Sequence, residues 1–216
     1  MNKPVLVIGA GGHASVIIEI LLNQKCTILG IVSKIKPNQN GIFENLKWFK
    51  SDDDVLSFDK DKVLLVNAIG FLPGNNIRFN IHKKFRQLGY IFMTVIAPSV
   101  ILSKNVKLGQ DVHLMPGCIV NTNSCISHGT ILNSGSIVEH DCKIGPYNHI
   151  APGAKLSGGV ETDECVFIKT WSVDSESSYN TFFKFLCAVG CRCNSASSIK
   201  NKKDLPWSSF SFLNSA

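Results

Sequence analysis

The chain has 216 residues, of which 44% are hydrophobic and 18% are charged. This balance is typical of a soluble globular protein that buries a substantial core, and it excludes an intrinsically disordered chain. The formal net charge is +6, but the lysines and arginines are scattered and form no basic stripe with interleaved aromatic residues. Nucleic acid is therefore not a predicted partner, whereas the positive charge favours an anionic substrate such as a nucleotide.

The sequence contains no signal for insertion into a membrane. It has no run of about 18 apolar residues, so no membrane partner is expected. The apolar stretch 5–8 is interrupted at once by a Gly-rich sequence, unlike the core of a signal peptide. The eight irregularly spaced cysteines are therefore expected to be reduced thiols in a cytoplasmic protein.

Residues 1–94 are predicted to form a small Rossmann-like α/β domain with a parallel sheet. The apolar run Val5–Ile8 predicts a buried strand, and further strands are expected at 27–32 and 62–67. Apolar residues at helical spacing predict one helix after the first strand and a second over 77–88. Strands and helices that alternate in this way are typical of an α/β fold.

From residue 102 onward, every sixth residue is aliphatic. The series comprises Leu102, Leu108, Leu114, Val120, Ile126, Leu132, Val138, Ile144, Ile150 and Leu156, misses at Thr162 and resumes at Ile168. Two residues before each member stands a mostly small side chain, and these are Val100, Val106, Val112, Cys118, Ser124, Thr130, Ser136, Cys142, Asn148, Ala154, Val160 and Val166. A period of six fits neither a helix nor a simple strand. It predicts a β-solenoid over 95–168, with aliphatic side chains inside, small ones at the corners, and residues 18 apart stacked.

Four motifs between about Lys3 and Ile168 resemble those of hexapeptide-repeat sugar acyltransferases, a family that includes sialic-acid O-acetyltransferases and UDP-amino-sugar N-acetyltransferases. The motifs are Val7–His13, Ala68–Gly70 followed by Arg78, Asn133–Cys142 and His149–Gly153. The resemblance implies that the solenoid is a left-handed parallel β-helix. It also implies acetyl-CoA as co-substrate, no metal, and a homotrimer whose active sites lie between neighbouring β-helices.

The Gly-rich stretch Gly9–His13 follows a predicted strand and precedes a helix. Glycines at this point allow a phosphate to approach the backbone and the helix N-terminus, although a plain tight turn would look the same. The resemblance places contacts to a nucleotide-sugar substrate at Gly11, Gly12 and His13. In the family, an acidic pair usually follows the second strand. Ser33-Lys34 stands there instead, so the sequence does not settle which nucleotide binds or whether one is needed. The resemblance also implies substrate contacts at Ser33 and Gly70.

His140 and Asp141 are the candidate catalytic residues. Transfer of an acetyl group to an amine or hydroxyl requires a base, and a histidine titrates near neutral pH. An adjacent carboxylate can fix the histidine tautomer and stabilise the imidazolium. The two residues follow the inward-facing Val138 and are therefore expected at an outer corner of the solenoid. An exposed histidine with a chance acidic neighbour is the alternative; the resemblance favours catalysis, with His140 as general base.

Three more site residues are implied by the resemblance alone. Asn133 is expected to contact the acceptor sugar or the general base. His149 is expected near the thioester of acetyl-CoA, and Gly158, 18 residues after His140, is expected to meet coenzyme A through its backbone. His113 and His128 match no zinc spacing and are expected at the surface.

The segment 169–216 carries no hexad repeat. The codons for Gly190–Ser195, read one base later, can encode Gly-Ala-Gly-Ala-Ile-Val, and those for Thr170–Asp174 permit a second family signature. We therefore predict a frameshift near Lys169, which sequencing of the gene can test. It would make the cluster Cys187, Cys191 and Cys193 accidental rather than a metal site, and would weaken both stability and acetyl-CoA binding.

The leading hypothesis is an acetyl-CoA-dependent acetyltransferase that acts on an amino or hydroxyl group of a sugar or nucleotide sugar in surface glycan biosynthesis. The alternative is a catalytically impaired β-helix trimer that serves as a binding or scaffold protein. A dinucleotide-dependent oxidoreductase would need an acidic residue after the second strand, where Ser33-Lys34 stands.

Overall fold

The computed structural model describes residues 3–38, 41–71 and 73–169, and the backbone of 188–190. The codon signatures in 170–174 and 190–195 lie outside these residues, apart from the backbone of Gly190. The cluster of Cys187, Cys191 and Cys193 also lies outside them, so the frameshift stays a prediction. Within the described ranges, no helix is long and apolar enough to cross a membrane.

An α/β unit begins the chain and confirms the predicted Rossmann-like fold. Its four strands are parallel and lie in the order β3-β2-β1-β4. The elements are β1 (Val5–Ile8), α1 (Gly12–Asn23), β2 (Ile28–Val32), β3 (Trp48–Phe49), β4 (Leu64–Asn67) and α2 (Ile77–Gln87). Every residue of β1 is buried, which explains why that strand is apolar throughout. Strand β3 was not predicted, because two half-buried residues carry no periodic signal.

A left-handed parallel β-helix follows, as expected. Its strands are β5 (Val95–Ile96), β6 (Ile101–Leu102), β7 (Lys107–Leu108), β8 (His113–Leu114), β9 (Ile119–Val120), β10 (Cys125–Ile126), β11 (Ile131–Leu132), β12 (Ile137–Val138), β13 (Lys143–Ile144), β14 (His149–Ile150), β15 (Lys155–Leu156) and β16 (Val166–Ile168). The backbone of β17 (Ala188–Gly190) pairs antiparallel with β16.

The β-helix strands form three sheets, one for each side of the prism. We call the sheet β5-β8-β11-β14-β16 the covered face, because its outward side chains are buried. The sheet β6-β9-β12-β15 is the isoleucine face, after Ile101, Ile119 and Ile137. The sheet β7-β10-β13 is the lysine face, after Lys107 and Lys143. Partners in each sheet are 18 residues apart, as between Ile137 and Ile119, which confirms the stacking expected from the period.

The six-residue series points into the prism as predicted. Its members from Leu114 to Leu156 are at most 2% exposed, while Leu102 and Leu108 at the open end are partly buried. Polar corner residues satisfy each other across coils. The Oγ of Ser124, for example, donates to the carbonyl of Glu139 at 2.8 Å and accepts from the amide of Cys142 at 3.1 Å. The hydroxyl is therefore stable in the interior, because it both donates and accepts a hydrogen bond.

From Asp111 onward, every sixth residue of the β-helix has a positive φ, three positions after the inward-facing position of its hexad. From Asp111 to Cys165 this position is occupied by Asp111, Gly117, Asn123, Gly129, Gly135, Asp141, Tyr147, Gly153, Gly159 and Cys165. Gly, Asn and Asp tolerate this left-handed conformation best. The turn geometry therefore selects residue types at Asp141 independently of any chemistry.

Candidate active site

His140 and Asp141 form a hydrogen-bonded pair at the corner between the isoleucine face and the lysine face. The Nδ1 of His140 lies 2.8 Å from the Oδ2 of Asp141, and the two side chains are 60% and 57% exposed. Because a carboxylate only accepts hydrogen bonds, Nδ1 carries the proton in the neutral ring. The Nε2 lone pair of His140 is then available to accept a proton from another molecule.

Asn123 supports the carboxylate of this pair from the preceding coil. Its Nδ2 donates to the Oδ1 of Asp141 at 3.1 Å. The hydrogen bonds from His140 and then Asn123 lower the pKa of Asp141, so it stays charged at neutral pH. We did not predict Asn123, although the stacking interval of 18 residues would have identified it.

Gly158 lies directly against the ring of His140 on the next coil. The amide of Gly159 donates to the His140 carbonyl at 2.9 Å. A Cβ at position 158 would lie 2.6 Å from the Cε1 of His140 and 2.7 Å from its Nε2. The His140 ring therefore occupies the space that a side chain at position 158 would need, and glycine there allows the ring its position.

His149 and Asn133 form a second pair, on the covered face. The amide of Ser134 donates to the Oδ1 of Asn133 at 2.8 Å, which leaves the Asn133 Nδ2 to donate to the His149 Nε2 at 3.1 Å. The Nδ1 of His149 donates to the carbonyl of Phe71 at 3.1 Å. Burial lowers the pKa of His149 to about 4, so the ring is neutral and both nitrogens are occupied. Phe71 and Phe167 pack against this ring; neither was predicted.

The Gly-rich loop begins α1 in the way that the sequence predicts. Gly11 is the N-cap of α1, and no side chain occupies that cap. A Cβ at Gly11 or Gly12 would meet no atom within 4 Å, so the loop borders open space. The Ser33 side chain is less available, because its Oγ donates to the Ile35 carbonyl at 2.7 Å and lies 3.2 Å from the Trp48 Nε1.

A buried charge cluster joins this loop to the β-helix. The Nη2 of Arg78 lies 3.2 Å from the Oδ2 of Asp111, and the Nδ1 of His82 lies 3.0 Å from the same oxygen. His113 places its Nε2 3.4 Å from the Oδ1 of Asp111 and its Nδ1 3.0 Å from the Nε2 of His13. The contacts of His82 and His113 with Asp111 are short but poorly aligned for hydrogen bonds.

The expectation that His113 lies at the surface is wrong, since its side chain is fully buried. The residue points outward from the β-helix as the register requires, but its strand belongs to the covered face. The α/β unit packs over this face through Arg78 and His13 and removes His113 from water. His128, by contrast, is half-buried beside Tyr147.

The predicted site residues fall into two groups within one chain. His13 lies near Gly70, with 3.6 Å between the His13 Cβ and a Cβ built at Gly70, and the His149 ring contacts Phe71, the residue after Gly70. These residues and Asn133 therefore lie where the α/β unit meets the covered face. His140, Asp141 and Gly158 lie at the corner opposite that face, so one chain does not bring the two groups together.

Two buried histidines, His113 and His149, and the half-buried His13 should make the fold sensitive to acid. Burial lowers the pKa of His13 to about 2 and that of His149 to about 4, and it also lowers the pKa of His113. Below about pH 6.5 the unfolded chain therefore binds more protons than the folded chain, and the free energy of unfolding decreases as the pH is lowered. We expect each histidine to contribute up to about 1.4 kcal/mol per pH unit between about pH 6 and its folded pKa. Urea unfolding midpoints at about pH 7.5 and 5 test this; an equal or higher midpoint in acid contradicts it.

Comparison with known proteins identifies relatives for both parts of the chain. Residues 4–85 match the family model described as PglD N-terminal domain. GDP-perosamine N-acetyltransferase of Escherichia coli O157:H7 is 28% identical over 102 residues, which make up 47% of this chain and 46% of the relative. The match therefore spans less than half of the length of this curated relative.

Two solved structures share both the fold and part of the sequence. PerB from Caulobacter crescentus, in complex with CoA and GDP-perosamine, is 31% identical with a TM-score of 0.62 over 74% of each chain. The acetyltransferase domain of PglB from Neisseria gonorrhoeae, in complex with acetyl coenzyme A, is 28% identical with a TM-score of 0.64, covering 74% of this chain and 76% of that domain.

Proposed function

Because the chain belongs to the family of hexapeptide-repeat sugar acetyltransferases, we propose that it transfers an acetyl group from acetyl-CoA to an amino or hydroxyl group of a nucleotide sugar in surface glycan biosynthesis. The observation that carries the proposal is the His140–Asp141 pair, with its 2.8 Å hydrogen bond and an Nε2 that bonds to none of the described residues. A cytoplasmic location is part of the proposal, since the described cysteines are free thiols.

His140 is the general base in this mechanism. Its Nε2 takes the proton of the acceptor amine or hydroxyl as that group attacks the thioester carbonyl carbon, and no covalent enzyme intermediate forms. Asp141 keeps the proton on Nδ1 and stabilises the imidazolium that develops. Acetyl-CoA supplies the activated acetyl group. Coenzyme A leaves as the thiolate, with the electrons of the broken C–S bond.

The residues around His140 fit a coenzyme beside the ring. Glycine at position 158 lets the His140 ring lie against the backbone of the next coil, and we propose that this backbone meets coenzyme A. His149 has both ring nitrogens occupied within its own chain. We therefore propose that it lines the thioester pocket as a neutral ring rather than as a proton donor.

A homotrimer would bring the two groups of site residues together. The covered face is occupied by the α/β unit, and the lysine face presents charges. The isoleucine face stacks Ile101, Ile119 and Ile137 on its outer surface, with Lys155 on its last strand, and Ile101 is 64% exposed. Contact through this apolar stripe would bury it and would set the adjacent His140 corner against a neighbouring chain.

Ile119→Lys should convert the trimer into monomers and abolish acetyl transfer at the same protein concentration, since a lysine in the stripe would be buried unpaired. Sedimentation equilibrium measures the mass, and circular dichroism checks that each monomer stays folded. Lys107→Glu, an exposed outward position on the lysine face, is the matched control and should leave the trimer intact. A trimeric Ile119→Lys variant would contradict the choice of face.

The activity itself is tested by the release of coenzyme A thiol with a panel of acceptors. UDP-amino-sugars, GDP-perosamine and sialic acids distinguish N-transfer from O-transfer, and mass spectrometry identifies the acetylated product. We expect turnover with at least one nucleotide-linked sugar. A trimer that releases no thiol with any acceptor would instead support the catalytically impaired scaffold.

A further inference from the structure

The charge cluster between the α/β unit and the β-helix ends at the Gly-rich loop, Gly9–His13. Arg78 and Asp111 lie at its buried end, with side chains 1% and 0% exposed. His113 lies in the middle, and His13 lies at the edge of the Gly-rich loop. The Nδ1 of His13 has no hydrogen-bond partner among the described residues, and it is not sealed from solvent.

The charge on Asp111 decides where the histidine protons lie. Burial favours the neutral acid, but Arg78 and the contacts with His113 and His82 outweigh it and hold the pKa of Asp111 well below its usual range. The His113 Nε2 faces this carboxylate at 3.4 Å. A lone pair there would repel the oxygen, so the proton of His113 sits on Nε2.

The same reasoning extends to His13. The Nδ1 of His113 now has only a lone pair, and it lies 3.0 Å from the Nε2 of His13. The His13 Nε2 must therefore carry the proton and donate it. Burial, His113 and Arg78 all lower the pKa of His13, to about 2, so its ring is neutral and holds a single proton.

We propose that Asp111 and His113 are positioning residues that hold His13 in the Nε2–H tautomer, with its Nδ1 as a hydrogen-bond acceptor facing the substrate. This inference rests on the proposed function for its ligand, a nucleotide sugar. His13 then recognises a hydroxyl or amino group of that molecule. Because the His13 ring is neutral, it does not serve as a cation for the diphosphate. The phosphates are then bound by the backbone of the Gly-rich loop and the N-terminus of α1.

The tautomer is measured directly by NMR of the ¹⁵N-histidine-labelled, ligand-free protein. Long-range ¹H–¹⁵N correlations distinguish protonated from unprotonated ring nitrogens, and His13→Ala assigns the signals. We expect a protonated Nε2 and an unprotonated Nδ1 in His13, with Nδ1 still unprotonated at saturating inorganic pyrophosphate. A protonated Nδ1 in either sample overturns the proposal. Because neither sample contains a sugar or coenzyme, this result is independent of acetyl transfer.

Asp111→Asn provides a second readout that a purely structural role would not change. The amide can donate to the His113 Nε2, which would move the His113 proton to Nδ1 and reverse the bond to His13. The variant should then show a protonated Nδ1 in His13. If it folds and keeps the original tautomer, Asp111 is not the positioning residue; if it does not fold, the unsubstituted protein still decides the tautomer of His13.

Discussion

His140→Ala is expected to lower kcat for acetyl transfer by about 10²–10⁴-fold, because the acceptor loses its general base. Stability should hardly change, since the ring is 60% exposed and no core contact is lost. Thiol release at saturating substrate measures kcat, and urea unfolding measures stability. Wild-type turnover in the variant would remove His140 from the mechanism.

His128→Ala is the matched control. His128 follows inward-facing Ile126 by two positions, as His140 follows Val138, but it lies at a different corner and has no carboxylate beside it. We expect kcat to stay within about twofold, with a small loss of stability from its contact with Tyr147. Equal losses of activity in both variants would indicate a general defect rather than a lost base.

Two further variants separate the chemistry of this corner from its turn geometry. Asp141→Asn keeps a side chain that tolerates the φ of 59° but removes the charge, so kcat should fall less than in His140→Ala and the fold should persist. Gly158→Ala puts a methyl group 2.6 Å from the His140 ring, and it should displace the ring and lower kcat. An unchanged kcat in Asp141→Asn would assign Asp141 to the turn alone.

Arg78→Leu is expected to lower the free energy of unfolding by about 3–5 kcal/mol, because it leaves the Asp111 carboxylate buried without its counter-ion. The guanidinium also donates to the carbonyl of Gly129 at 3.1 Å and to that of Ile69 at 3.0 Å. It bonds the carbonyl of Asn67 as well. It thereby connects the α/β unit with the β-helix, and its loss leaves several polar groups unpaired.

Urea unfolding at a fixed protein concentration measures this effect, since association with other chains would add to apparent stability. Arg86→Leu, on the same helix but exposed, is the control and should change stability by no more than about 0.5 kcal/mol. A loss below about 1 kcal/mol in Arg78→Leu would show that the ion pair contributes little beyond an apolar contact.

The six-residue period predicts the β-helix and, within it, the neighbours of each residue. A period of six sets which side chains face inward, and the 18-residue stack follows from three sides per coil. The stacking interval therefore places Gly158 beside His140, and the same interval places Asn123 beside Asp141. Spacing along the chain predicts these contacts, because each coil of a solenoid contacts mainly the next coil.

The contacts between the α/β unit and the β-helix follow from no local sequence pattern and are visible only in the folded protein. His113 has an outward-facing register and was expected in water, yet the α/β unit covers it and pairs it with a residue 100 positions away. Phe71 and Arg78 reach the β-helix in the same way, and no local pattern records their partners. Contacts of this kind depend on how two separately folded surfaces meet. The protons of His13 and His149 are therefore fixed by packing, whereas the position of His140 is fixed by the repeat.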